Sequence, residues 1–260
     1  MTAAPPDGAT GPLPLVVVPG MLCDRDLWSG VAFPEQHPVR HVGLTRADVG
    51  RLAEDVLSAV TGPFVLVGLS LGAIVGFEVL RRAPERIAGF CAMATNAGAP
   101  RPEQYAAWRA MDGLIAEGRF TEAVERTLPG MFHTPDPPDE LAARYRDMAH
   151  RVGPDAARAQ LAAQATRTDA YGALRTVRCP VSVLYGTRDA LCPPDFHRAI
   201  ADAVPGARLT AVPGAGHLLP MERPGPVSAA VNALLRAAER GRARPSVPLR
   251  PAASPPSPAC

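Results

Sequence analysis

Six short apolar runs, PLVVVPG, PVRHVGL, PFVLVGL, IAGFCAMAT, PVSVLYG and ARLTAVPG, punctuate the chain, and helical segments separate most of them. A strand that feeds a helix and then another strand returns to the same sheet by a crossover, so neighbouring strands run parallel. Parallel sheets are covered on both faces, which accounts for runs that are continuously apolar. The predicted fold is therefore α/β, a mostly parallel sheet of about six strands with helices on both faces. Helices are predicted over 47–60, 71–83, 194–204 and 227–238, the second ending before Pro84.

The interval 100–175 breaks the alternation. It holds amphipathic pieces over 102–117, 121–128, 139–152 and 155–168 with no strand signal between them, and reads as a helical cap inserted into a core of 13–99 and 176–239. The ends, 1–12 and 240–260, are rich in Pro and small residues with little to bury, and are predicted to be disordered.

Within this frame the segment VLVGLSLGAIVG carries the chemistry. Gly68-Leu69-Ser70-Leu71-Gly72 follows a strand and opens a helix, the context in which Gly-x-Ser-x-Gly makes a sharp turn that exposes the serine hydroxyl at the C-terminal strand edge. The glycines leave room where the backbone nearly collides, and the helix start aims N–H groups at the same point.

A serine hydroxyl is a weak nucleophile and needs a histidine base oriented by an acid. Asp189 follows the run VSVLYG, and His217 ends the glycine-rich PGAGH after LTAV, so both are expected at the edge that carries Ser70. His37 and His41 flank an early strand, His150 ends a cap helix and His197 sits inside a helix, whereas His133 in the cap is placed to line a pocket. Asp195 follows two prolines and reads as a helix cap. The amides of Leu71, directly after the serine, and of Met21, in the loop after the first strand, are the expected donors to an oxyanion. Cys23 reads as a small buried filler rather than a catalytic thiol.

Composition removes competing chemistries. All 27 basic residues are arginine, so no lysine is present for a Schiff base, a pyridoxal anchor or a phosphate-binding loop. The 25 acids are interspersed with the arginines, with no basic stripe for nucleic acid. Five widely spaced cysteines form neither a disulfide framework nor a zinc pattern, and fit a reducing cytoplasm. No segment approaches the roughly 18 apolar residues of a membrane helix, and no signal peptide is apparent. No metal or organic cofactor is called for.

Taken together, VPGM, GLSLG, YGTRD and GAGHLLPMERP, in the order Ser, Asp, His, resemble the α/β-hydrolase superfamily, in the group of small bacterial serine hydrolases with a helical cap. The resemblance spans about 13–238. Two features differ: Pro19 stands where many relatives carry histidine, and the early antiparallel hairpin of larger members is missing. The resemblance implies that Ser70 attacks an ester-like carbonyl, that His217 relays protons, and that Asp189 stays ionised and fixes the imidazole tautomer.

Substrate choice is expected in the cap, whose apolar residues include Trp108, Met111, Leu114, Met131 and Phe132, most of them packing the cap onto the sheet. With Leu22 across the site, Trp108, Met131, Phe132 and His133 are the candidate substrate-contacting residues. The expected substrate is a small to medium, largely apolar carboxylic ester or lactone. Carbon–carbon bond hydrolysis, thioester hydrolysis and perhydrolysis use the same triad, and a non-catalytic ligand-binding protein on this scaffold is the alternative from another class.

Overall fold

The computed structural model describes residues 11–243. Six strands form one sheet: β1 (Leu15–Val18), β2 (Val39–His41), β3 (Phe64–Leu69), β4 (Ile87–Met93), β5 (Val181–Gly186) and β6 (Arg208–Val212). Their order is β2-β1-β3-β4-β5-β6, with every neighbouring pair parallel. All six C-terminal strand ends therefore open onto a single edge.

The sheet separates two apolar clusters, and the alternation of side chains along each strand sorts residues between them. Leu15, Val17, Val65, Val67, Leu69 and Met93 face one cluster, while Val16, Val18, Phe64, Leu66, Phe90 and Ala92 face the other. The second is closed by α1 (Val49–Ser58), α2 (Leu71–Arg82) and α7 (Pro194–Ala203). In α1 the buried set Val49, Leu52, Ala53 and Val56 follows the i, i+3, i+4, i+7 spacing of one helical face, and the Asp48 side chain caps its start by accepting from the Arg51 amide at 3.0 Å. The first cluster is covered by α9 (Pro224–Ala243) through Val227, Val231, Leu234 and Leu235.

Between β4 and β5 lie α3 (Pro102–Ala116), α4 (Phe120–Met131), α5 (Asp139–Thr166) and the single turn α6 (Tyr171–Leu174). The α5 helix is two pieces joined at Gly153, whose φ of 79° precedes Pro154, matching the break expected between 139–152 and 155–168. Leu114, Val124, Tyr145 and Met148 of α3 to α5 join the apolar cluster that α9 covers. Arg151 of α5 donates to Asp24, and Arg144 to the Asp26 carbonyl and Ser29, which ties this segment to the loop after β1.

The expected boundary at 240 needs correction, because α9 continues to Ala243. Ala238 is buried against the sheet and Arg242 donates to the Gly11 carbonyl at 3.3 Å, so the helix has reason to persist past the predicted end. The remainder of the two expected disordered ends, 1–10 and 244–260, lies outside the described residues. The one-turn α8 (Leu219–Glu222) was not legible as a helix, since Pro220 and the short apolar run conceal it.

Gly72 marks the tightest approach of α2 to the sheet: a Cβ there would meet the Val18 carbonyl and lie 2.6 Å from that of Pro19, both backbone atoms that cannot swing away. Gly72→Ala is expected to lower the melting temperature by several degrees, corresponding to about 1–3 kcal/mol of overpacking. Gly113→Ala, inside α3 with no atom within 4 Å of the new methyl, is expected to leave it unchanged or raise it, because alanine is the better helix former by about 1 kcal/mol. Thermal unfolding of the two variants side by side checks the contrast.

Candidate active site

Ser70 occupies the turn from β3 into α2 with φ 53° and ψ −114°, a region that costs a non-glycine residue about 1–3 kcal/mol. Neighbouring bonds hold it there. Its amide donates to the Met93 carbonyl at 2.8 Å, and its carbonyl accepts from the amides of Ala73 and Ile74 and from Thr95 Oγ1 at 3.1 Å. Gly68 permits the turn, since a Cβ there would stand 2.6 Å from the Ala73 nitrogen. The Ser70 side chain makes no capping bond to the helix and faces a cavity.

Asp189 sits in the loop after β5. Its Oδ1 accepts from the amides of Leu191 and Cys192, both at 2.9 Å, which fixes the carboxylate. His217 follows β6, and its Nδ1 lies 3.0 Å from Asp189 Oδ2 and 3.2 Å from Oδ1. Assigning the proton to Nδ1 lets it donate to the carboxylate and leaves Nε2 as an acceptor. Both side chains are almost fully buried. Burial is the largest single influence and disfavours both charges, but mutual attraction and hydrogen bonds, with two backbone amides on the carboxylate, together outweigh it: Asp189 is held below the usual carboxylate range, and His217 is raised well above 6.5.

The two loops are joined by backbone bonds, Thr187 N to Val212 O and Arg188 N to Ala215 O. A buried acid that sequence reasoning passed over, Glu222 of α8, braces the histidine loop. One oxygen accepts from the Gly216 amide at 2.6 Å, and the other accepts from the His133 amide at 2.9 Å and meets its Nδ1 at 2.6 Å.

In the loop after β1, Leu22 has φ 60° and its amide donates to Gln160 Oε1 of α5 at 2.9 Å, while Gln160 Nε2 donates to the Leu44 carbonyl. Gln160 thereby takes the Leu22 amide, and the preceding one, Met21, belongs to a residue that lines the cavity. The Leu71 amide, first in α2, has no carbonyl one turn back to bond. These are the two amides named from sequence as oxyanion donors.

The cavity, about 470 Å³, brings together Ser70, His217 and Met21 with Leu69, Ile74, Trp108, Met111, Leu114, Met131 and Leu218. It also contains Gln104, Gln164 and Arg167, so its wall is less uniformly apolar than the sequence suggests. Three of the named substrate-contacting residues lie outside it. Leu22 is fully buried in the core beneath its tethered amide, Phe132 packs edge-to-face on Tyr145 at 6.3 Å, and His133 is turned to Glu222. Trp108 and Met131 do line it.

His197, set aside in the sequence as a helix residue, is buried and stacks on Tyr185 at 5.0 Å. Its Nε2 accepts from the Thr95 amide at 3.0 Å and its Nδ1 lies 3.3 Å from the Pro193 carbonyl, linking the support beneath Ser70 to the loop that holds Asp189. Burial lowers it to about 4, so it is neutral in these bonds.

Among the described residues, Asp189, Cys192 and His217 are the one group with ligand atoms close enough to share a metal, within 4.8 Å. The donor set does not favour one. The carboxylate is engaged by His217 and two amides, and burial raises the Cys192 thiol, whereas a metal requires its thiolate. No described helix is long and apolar enough to cross a membrane.

Comparison with known proteins places this geometry in context. Residues 10–230 match the model of the Alpha/beta hydrolase family. A pimeloyl-[acyl-carrier protein] methyl ester esterase of Neisseria meningitidis serogroup B is 26% identical over 176 residues, 65% of this chain and 68% of the relative. A thermophilic esterase from Thermogutta terrifontis, solved with malate bound, is 27% identical with a TM-score of 0.75, covering 88% of this chain and 92% of the other. The enol-lactonase of Burkholderia xenovorans LB400 shares the fold, with a TM-score of 0.76 at 21% identity over 88% and 93% of the two chains. The chain belongs to the α/β-hydrolase family.

Proposed function

We propose that the protein is a serine hydrolase that cleaves a carboxylic ester or lactone through an acyl-enzyme on Ser70. The observation that carries this reading is an imidazole hydrogen-bonded to a buried carboxylate and lining the same cavity as a serine on a strained strand-to-helix turn. In the proposed sequence His217 Nε2 takes the Ser70 proton as Oγ attacks the carbonyl carbon, then gives that proton to the departing alcohol oxygen. Water, deprotonated by the same nitrogen, attacks the acyl carbon, and the proton returns to Ser70 as the acid leaves. Asp189 remains ionised throughout and stabilises the imidazolium that forms.

The negative oxygen of each tetrahedral intermediate would be met by the amides of Leu71 and Met21, each donor worth about 10² to 10³ in rate. Gln160 contributes by occupying the Leu22 amide and so setting the orientation of that loop. The helices from α3 to α5 serve as the cap, and Ile74, Met111, Leu114 and Met131 supply an apolar surface for the body of the substrate. The esterases of Neisseria and Thermogutta support this class of reaction. Cys23, Cys91, Cys179 and Cys192 are unpaired, which agrees with a cytoplasmic setting.

Treatment with a fluorophosphonate followed by intact mass measurement is expected to add one phosphonyl group to the wild type and none to Ser70→Ala, with ester turnover in the variant reduced at least 10⁴-fold. An unlabelled wild type would leave a ligand-binding protein on this scaffold instead.

The pH dependence follows from the sign of the His217 shift. Protonated His217 cannot accept the serine proton, and the Asp189 charge favours that protonated form, so activity is lost as pH falls and the midpoint of the acid limb of kcat/KM is expected above 6.5. Asp189→Asn removes the stabilising charge. It is expected to move the limb to lower pH while reducing kcat by roughly 10⁴-fold, through loss of the tautomer that presents Nε2 as acceptor. A limb below 6.5 in the wild type contradicts this account.

A further inference from the structure

One group in the cavity has no role in the acyl-transfer steps and no countercharge. Arg167 caps the C-terminus of α5 directly after Thr166, is 6% exposed, and lines the cavity with Ser70 and His217. Its guanidinium lies over the Trp108 ring at 5.4 Å, and Nη2 donates to Gln104 Oε1 at 2.9 Å. The buried Nε has no hydrogen-bond partner, and Arg167 is absent from the ion pairs found among the described residues.

Its electrostatic neighbours are Cys192, Tyr105 and Arg101, none of them a carboxylate. Cys192 is hydrogen-bonded to His217 and lines the same cavity as Arg167. None of the residues that line the cavity is Asp or Glu, and its other cation, Arg126, is already paired with Glu122 at 2.7 Å.

An arginine stays protonated even where burial lowers its affinity for the proton. A buried, unpaired cation is costly unless something completes it. The guanidinium fork matches the geometry of a carboxylate, and stacking on Trp108 holds the plane fixed.

We propose that Arg167 is a specificity-determining residue that binds a carboxylate on the substrate, so that the ester or lactone opened at Ser70 is a monoanion carrying its charge a few carbons from the scissile carbonyl. The proposal rests on the serine-hydrolase reading for its chemistry, and it adds a charged end to the largely apolar ester or lactone expected from the sequence. The apolar wall then takes the carbon chain between two fixed points, the amides at Ser70 and the cation at Arg167. The product would be a dicarboxylate, or a hydroxy acid with a second acid group, so the reaction consuming it must handle a dianion.

The test compares monomethyl glutarate with methyl 5-methylhexanoate, in which an isopropyl group of similar shape replaces the carboxylate. The full chain is expected to favour the anion in kcat/KM by about tenfold to a hundredfold, the range for a hydrogen-bonded charge pair. In Arg167→Met that ratio is expected to fall to about one or below, mainly through KM, and in Arg167→Lys to keep an intermediate value because a point charge lacks the fork. Titration calorimetry with glutarate provides a readout that needs no turnover: binding to the wild type, and at least tenfold weaker binding to Arg167→Met. A wild-type ratio at or below one, or the same ratio in Arg167→Met, overturns the proposal whether or not the variants lose stability, since the wild type is judged alone. Glutarate bound through Arg167 without hydrolysis of either ester would uphold the anion site and refute the hydrolase reading. Ester turnover that prefers the neutral substrate, with no glutarate binding, would do the reverse.

Discussion

The positive φ of Ser70 is a strained backbone conformation that the rest of the site depends on. A serine left to itself would relax out of it, because the strain of about 1–3 kcal/mol is comparable to one or two net hydrogen bonds. Here four hydrogen bonds converge on the residue, one made by the amide to β4 and three accepted by the carbonyl, and two glycines let the neighbouring chains approach closely enough to make them. Thr95 supplies one of the four, and its own amide is held by His197, which also meets the Pro193 carbonyl in the loop carrying Asp189. Ser70 and the loop carrying Asp189 are thus seated on a common support beneath the sheet edge, linked by packing and hydrogen bonds through Thr95 and His197.

Above that edge the electrostatics are uneven. In the Asp189–His217 pair, mutual attraction and hydrogen bonding together offset the burial of both partners, and three donors, the amides of Leu191 and Cys192 and the imidazole, leave the carboxylate little freedom to move. The cavity next to it holds a buried arginine and no acid. A low-dielectric space with uncompensated positive charge stabilises negative charge wherever it appears, whether on a bound carboxylate or on the oxyanion that develops during attack. In the proposed reaction Arg167 would contribute to the potential at the reacting atoms as well as to recognition, and the burial that makes an unpaired cation costly would make it selective for an anion.

How much of this was legible in the sequence depends on the range of the interaction that decides each feature. The strands declare themselves because each is a contiguous apolar run, and the turn at Ser70 because its glycines, strand and helix are neighbours in the chain. Asp189 and His217 were readable from their place just after strands. The supporting groups were not. Gln160 acts on Leu22, 138 residues away, Glu222 on His133 at 89, and His197 on Thr95 at 102, and no local pattern marks any of them. Leu22 and Phe132 failed as pocket residues for the complementary reason: apolar character says that a side chain is buried, not which side of the wall it occupies. Arg167 was hidden among 27 arginines, since its lack of an acid partner is a property of the fold.

The least expected arrangement is at the C-terminal end of α5, where Gln160 and Gln164 stand at i and i+4 and Arg167 follows as the extended residue that caps the helix. Polar residues at that spacing ordinarily mark the solvated face of a helix. Here the stripe points inward: Gln160 bonds to the amide of Leu22, Gln164 reaches Met21 Sδ at 3.3 Å, and Arg167 bonds to Gln104 on α3. The last turns of α5 and its C-cap thus touch both the loop proposed to stabilise the oxyanion and the proposed carboxylate site. Gln160 and Gln164 are one turn apart on the helix, at roughly 1.5 Å of rise per residue, and Arg167 sits directly past its last turn, so the end of α5 ties those two points together. Under the proposed reading, substrate length would be measured between these two points, and any motion that opens the segment between β4 and β5 would loosen recognition and transition-state stabilisation together.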